Sequence, residues 1–246
     1  MGEHIVFNGI EVSGASDMAA LLKKQLSSGI VPGMTTDQGP EEAIWRLFHS
    51  IEGTHFEEVF VDAVVHLLTD SDVATRTSAV GLAQDIAENV DPGRLLALLD
   101  AHPTLFNNVA PQGPSQSDFQ GDDLAWGLLR AIAGHPTGNK KVLTRLRRAA
   151  MDPKNGSHIL AGLTVSDPDW VLRNLKELVD RQPWRASIVL NNLEDPAQRE
   201  AFARAANQSS QRGRAAAVKA VKEMIKDPAE RTLLLSLLGT AKSASA

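Results

Sequence analysis

The chain has no cysteine among its 246 residues, which removes disulfides, thiolate metal sites and cysteine nucleophiles from consideration. Its first half is poor in cations. Residues 1–123 hold 5 Lys/Arg against 19 Asp/Glu, a net −14, whereas 124–246 hold 20 against 11, a net +9. The overall charge of −5 therefore conceals two halves of opposite sign. Such asymmetry favours a charged partner at one end or head-to-tail contact between copies, and two differently solvated faces are the plain alternative. Long apolar runs are missing as well: nowhere do about 18 apolar residues follow one another. The opening MGEHIVFNGIEV shows no basic region leading into an apolar one. The expectation is a cytoplasmic protein with no membrane span.

Signatures of enzymatic chemistry are also lacking. No GxGxxG follows a strand, and neither GxxxxGK[ST], HExxH nor GxSxG occurs. A Glu-x-x-His pair, which di-iron bundles use on each of two helices, occurs only at Glu52 to His55, across a glycine stop and a helix start. His55, Glu58, Asp62 and His66 share one helical stripe through spacings of 3, 4 and 4. An apolar stripe, Phe56-Val59-Phe60-Ala63-Leu67, occupies the neighbouring face, so the polar one reads as the solvated side. No catalytic residue, metal or cofactor is assigned.

What is present is mostly helix. Only the first dozen residues read otherwise: His4-Ile5-Val6-Phe7 and Ile10-Glu11-Val12 flank Asn8-Gly9, the strongest short signal for a two-residue hairpin. A lone hairpin is marginal in water and needs something to pack on. Apolar residues then recur at three- and four-residue spacing in Met18-Leu21-Leu22 with Leu26, Ile44-Leu47-Phe48-Ile51 and Phe56-Val59-Phe60-Ala63-Val64-Leu67. Thr54-His55-Phe56-Glu57 fits a capping box, with the threonine hydroxyl accepting from the Glu57 amide and the glutamate reaching back to the Thr54 amide. Asp-Pro recurs at 91, 152, 167, 195 and 227; aspartate suits the N-cap and proline the first helical position, and at least the last three are read as helix starts. Gly53, Gly134 and Gly239 sit where helices should stop.

The caps are spaced with a loose period. Asp167 to Asp195 is 28 residues and Asp195 to Asp227 is 32, while Thr137, 30 before Asp167, is another candidate cap. A unit of about 30 residues holds two short antiparallel helices. Within this rhythm, LTDSDVATRTSAVGLAQDIA resembles the second helix of a HEAT-type repeat. Asp70 and Asp72 lie in the turn, Arg76 in the arginine slot and Ala79 in the small-residue slot, followed by Leu82 and Ile86. Thr75 stands where the family has valine. The motif covers about 20 residues; from roughly Thr54 to Gly239 the likeness rests on helix-pair rhythm. The resemblance implies an α-solenoid and an interaction scaffold, although a fold alone does not settle a function.

The expected architecture is all-α, a single HEAT-like α-solenoid over 1–246. It comprises a β-hairpin cap at 1–14, an acidic helical half at 15–106, a long connection at 107–121, a basic helical half at 122–240 and a disordered tail at 241–246. Connections of the length of Ser27 to Pro40 and Asn107 to Gly121 are often functional or disordered. Arg76 lies at the border of its helix's apolar face and is read as structural, spanning a repeat junction with its stem on apolar atoms and its guanidinium on turn carboxylates or carbonyls.

Ser78, Gln84, Asp85 and Glu88 fall opposite the apolar face of the helix from Asp72. With Glu57, Glu58, Asp62, Asp100, Asp122 and Asp123 they define an acidic surface for a protein partner, a basic one by complementarity. The leading reading is a non-enzymatic scaffold, adaptor or inhibitor, with Gln84, Asp85, Glu88, Asp100, Asp122 and Asp123 as partner-binding residues. An immunity-type protein that neutralises a basic toxin is one alternative. The other is a nucleic-acid-binding protein such as the HEAT-like alkylpurine DNA glycosylases, with Lys140, Arg147, Arg185 and Arg199 among the cations along the backbone and Trp170 or Trp184 stacking. That version needs Asp169 beside an aromatic cage. The acidic half disfavours it, and both tryptophans read more simply as packing anchors.

Overall fold

Asp and Thr caps place most of the helices. In the computed structural model, which describes residues 4–7, 10–28, 40–107, 124–153 and 156–239, fourteen α-helices follow one two-stranded antiparallel sheet. The chain divides into two compact units, Met1–Ile132 and Ala133–Ala246. The division falls inside a helix, downstream of the 107–121 connection. Most of that connection, the Asn8-Gly9 turn, the segment 29–39 and the tail from 240 lie outside the described residues.

In the first unit, β1 (Ile5–Phe7) pairs with β2 (Ile10–Val12), Phe7 opposite Ile10 and Ile5 opposite Val12. That register fits the expected two-residue connection. The packing support a lone hairpin requires comes from α1 (Ala15–Ser28): β2 lies against it and Val12 is fully buried. Helices α2 (Pro40–Ile51) and α3 (His55–Leu67) complete the first layer of the core with α1. Every residue of the two α2–α3 apolar stripes is buried, and Phe48 meets Phe60 at 5.1 Å between ring centres. Between these helices Gly53 takes φ 73°, a left-handed conformation that costs glycine little.

The α3 cap differs from the expected box by one residue. The Thr54 hydroxyl accepts from the Phe56 amide at 3.2 Å rather than from Glu57, and Glu57 Oε2 accepts from the Gly53 amide at 2.7 Å. The Thr54 amide already donates to the Ile51 carbonyl at 3.0 Å, so the glutamate satisfies the next free donor upstream. After α3 come α4 (Val73–Asp85), a 3-10 turn at Ala87–Asn89, α5 (Pro92–Ala101), α6 (Pro103–Phe106) and α7 (Leu124–Gly134).

The second unit contains α8 (Lys140–Ala150), α9 (Gly156–Ser166), α10 (Pro168–Arg181), α11 (Arg185–Asn191), α12 (Pro196–Asn207), α13 (Gln211–Met224) and α14 (Pro228–Gly239). Contacts alternate: α9, α11 and α13 pack in succession, as do α10, α12 and α14. Four of the five Asp-Pro pairs start helices, at Pro92, Pro168, Pro196 and Pro228. Asp152-Pro153 does not. Its segment stays open because the carbonyls of Ala150, Met151, Asp152 and Pro153 accept from Arg185, Arg181, Arg185 and Gln182 respectively. Thr137 is likewise not a cap. Asn139 caps α8 by accepting from the Lys141 and Val142 amides, and the Thr137 hydroxyl accepts from the Asn139 amide one step earlier.

A motif absent from the sequence reading emerges from these caps. Asp72 and Arg76, Asp195 and Arg199, and Asp227 and Arg231 repeat an Asp-x-x-x-Arg spacing, the last two as DPAQR and DPAER. Each arginine amide donates to its cap carbonyl, at 3.1, 3.1 and 3.0 Å. Helical side chains lean toward the N-terminus. Each guanidinium therefore reaches the carbonyls just before its own cap: Arg76 those of Asp70 and Ser71, Arg199 that of Glu194, and Arg231 those of Ile225 and Lys226. The residues share chemistry as well as rhythm.

Candidate functional site

Arg76 is a clasp on its own turn. It is buried, and its Nη1 donates to the Asp70 carbonyl at 2.6 Å and the Ser71 carbonyl at 3.0 Å. The partners are carbonyls, and they belong to the turn between α3 and α4 that feeds its helix. Lys23 on α1 grips the same turn through Asp70 Oδ2 at 2.6 Å. Removing a charged donor strands two carbonyls, so Arg76→Ala is expected to cost about 2–3 kcal/mol. Urea unfolding of the first unit should show the loss, while partner binding survives in the folded fraction.

The turn's carboxylates also set an acid limit. The hydrogen bond from Lys23, then that from the Asp72 amide, holds Asp70 below its usual 3.8. Asp72 is held low by the Thr75 hydroxyl and then by the Thr75 amide. A carboxylate lowered in the folded state contributes stability that is fully present above its unfolded value and is lost as pH falls through the lowered one. Stability should therefore hold down to about pH 4 and fall below it. In a pH series of thermal melts, Asp70→Asn should be less stable at neutral pH and flatter in the acid range.

The acidic surface is real but centred elsewhere than expected. Glu57, Glu58 and Asp62 on α3 face Asn89, Asp91 and Arg94 across a shallow cleft of about 270 Å³. Most of these side chains have assignments. Glu57 Oε1 accepts from Asn89 at 2.7 Å, Asp62 from Arg94 at 2.5 Å, and Asp91 caps α5 through the Gly93 and Arg94 amides. Glu58 and the neighbouring Glu88 are exposed and make no hydrogen bond or ion pair among the described residues. They carry the uncommitted charge.

Gln84 is half-buried and turns inward, its Nε2 donating to the Gly127 carbonyl of α7 at 2.7 Å. It ties two helices of the first unit, and the helix ends at Asp85 because the chain tightens there into the 3-10 turn. Asp85, Glu88 and Asp100 are exposed. Asp122 and Asp123 lie outside the described residues. Of the stripe His55, Glu58, Asp62 and His66, Asp62 is engaged by Arg94, and no group of three or more His, Asp or Glu side chains among the described residues is arranged to hold a metal ion.

Several cations of the second unit are spent internally. Arg185 is fully buried and donates to Gln182, Ala150 and Asp152. Burial, and then the charge of Arg181, lowers its pKa against an opposing pull from Asp152, yet arginine stays cationic. Arg199 forks onto both oxygens of Glu230 at 2.9 and 3.1 Å, and Arg147 pairs with Asp167. None of these three is available to follow a phosphate backbone. Trp184 departs from the packing-anchor reading in the other direction. It is 51% exposed, because the inward position of its turn is filled by Arg185. Trp170 is half-buried and Asp169 exposed.

Compared with protein-family models, with curated proteins and with solved structures, the chain matches none. Among the described residues no helix is long and apolar enough to cross a membrane.

Proposed function

We propose that this chain is a non-enzymatic scaffold of HEAT-like helix pairs that binds a basic protein through the acidic face of its first unit. The observation that carries the reading is the division of labour in the α3–α5 cleft. Glu57, Asp62 and Asp91 are consumed in capping and pairing, and Glu58 and Glu88 stand exposed and uncommitted beside them. Exposed charge of one sign on a fixed frame raises the capture rate of a complementary partner. The helix-pair reading draws support from the alternating contacts of α9 to α14 and from the repeated Asp-x-x-x-Arg clasp. An inhibitor that covers a cationic toxin is one form such a scaffold would take.

Affinity capture from a lysate of the source cell at low and high salt, with the recovered proteins identified by mass spectrometry, tests the reading. A basic protein should be held by the native chain and lost with Glu58→Lys plus Glu88→Lys. It should be retained by Arg212→Glu plus Lys226→Glu on the second unit. Retention of every partner by the first pair of reversals would remove the acidic face from the account.

A further inference from the structure

Among the described residues four large apolar side chains are conspicuously exposed, Val6, Val165, Trp184 and Leu233, and Trp184 is the one aromatic ring. It does not stand alone on a convex surface. Pro183, Trp184 and Ser187 on one side and Ala216 and Lys219 on the other line a cleft of about 270 Å³ between α11 and α13. Its floor is small and apolar, with Ala220 only 2% exposed. That volume lies below the range of drug-sized pockets and suits a single large side chain. Tryptophan offers an extended apolar face with little rotamer entropy to lose, which is why it concentrates at binding hot spots.

The charge around the cleft selects the occupant. Arg212, Arg214 and Lys222 on α13, and Lys226 just beyond it, have no side-chain partner among the described residues. Lys219 meets Glu223 only at 3.8 Å, with both side chains largely exposed. These cations contrast with Arg147, Arg185 and Arg199, which the fold consumes. The second unit as a whole, residues 133–246, holds 19 Lys/Arg against 11 Asp/Glu. We propose that the α11–α13 cleft is a second docking site, which takes an acidic peptide segment carrying one aromatic or large aliphatic anchor. The anchor packs on Trp184 over the alanine floor, and flanking carboxylates meet Lys222, Lys226 and Arg212. Nucleic acid fits less well. A strand stacks on successive aromatic rings, whereas Trp184 is single and the Glu223 carboxylate lies inside the cleft.

The site is independent of the acidic face and is tested separately. Random dodecapeptides displayed on phage would be selected on the full chain and on Trp184→Ala. The selected peptides would then be titrated against the intrinsic fluorescence of the native chain. Enrichment of sequences with one aromatic or large aliphatic residue among acidic ones is expected. Trp184→Ala should weaken those peptides by about tenfold or more, and Lys222→Glu plus Lys226→Glu should weaken them and flatten the salt dependence. All three substituted residues are exposed and the Trp184 side chain makes no cap hydrogen bond, so circular dichroism melts should stay unchanged. The proposal is overturned if no peptides enrich, if the enriched ones lack acidic residues, or if Trp184→Ala binds them equally. It is also overturned if oligodeoxythymidylate binds through Trp184 and displaces the peptides. Sedimentation of the free chain closes the last alternative: self-association that disappears in Trp184→Ala would give the cleft to a second copy instead.

Discussion

Arg185→Ala should be the most destabilising single substitution in the second unit, at about 4 kcal/mol. The guanidinium is fully buried and uses three nitrogens: Nε to Gln182 Oε1 at 2.7 Å, Nη1 to the Ala150 carbonyl at 3.0 Å and Nη2 to the Asp152 carbonyl at 2.7 Å. Truncation leaves two buried or half-buried carbonyls without a donor and a cavity where the stem lay. Stranded acceptors cost more than the bonds contribute when made. Arg185→Lys should recover about half of the loss, because a single ammonium group cannot reproduce the planar fork. Urea unfolding followed by circular dichroism measures both, and a loss under 1 kcal/mol for the alanine variant would show that the α8–α9 connection does not depend on this arginine.

Gly162→Ala should rank next. Alanine in the middle of a helix normally gains about 0.5–1 kcal/mol over glycine. In α9 that gain is overridden, since a Cβ on Gly162 would run into the carbonyl oxygen of Ala133 at the end of α7. Backbone cannot swing aside as a flexible side chain does, so overpacking should cost about 3 kcal/mol. Gly81 in α4 provides the matched contrast, for nothing lies within 4 Å of its missing Cβ. Gly81→Ala should therefore stabilise by about 0.5–1 kcal/mol. Thermal melts of the two variants should move in opposite directions. A shift of the same sign in both would mean that helix propensity, not the close approach, governs position 162.

The helix starts were legible because capping is local. Aspartate followed by proline satisfies nearby amides whatever the tertiary context, and four of the five pairs do so. The exception at 152 fails for a reason no local pattern contains. Its neighbouring carbonyls are claimed by Arg181, Gln182 and Arg185 from about thirty residues later. The same distance hid the burial of Arg185, which by composition alone counted as surface charge and displaced Trp184 outward. Gln84 was misplaced for a related reason. It lies on the polar side of α4, but its partner is a carbonyl of α7, 43 residues on. Arg76 was readable because its partners lie five and six residues back. The DPAQR and DPAER clasps were as legible in principle; their arginines were counted as charge rather than matched to the caps four residues before them.

Those distinctions bear on function through which charges remain uncommitted. On the first unit they are Glu58 and Glu88, and the account rests on their steering a basic partner to the α3–α5 face. The association rate of the captured partner, followed as a function of ionic strength, tests this most directly. For the native chain the rate should fall steeply as salt rises, because exposed charges are screened beyond about 10 Å at 0.1 M. With Glu58→Lys plus Glu88→Lys it should start lower and lose most of that slope. An association rate that is indifferent to salt, or that the two reversals leave unchanged, would contradict an acidic binding face on this protein.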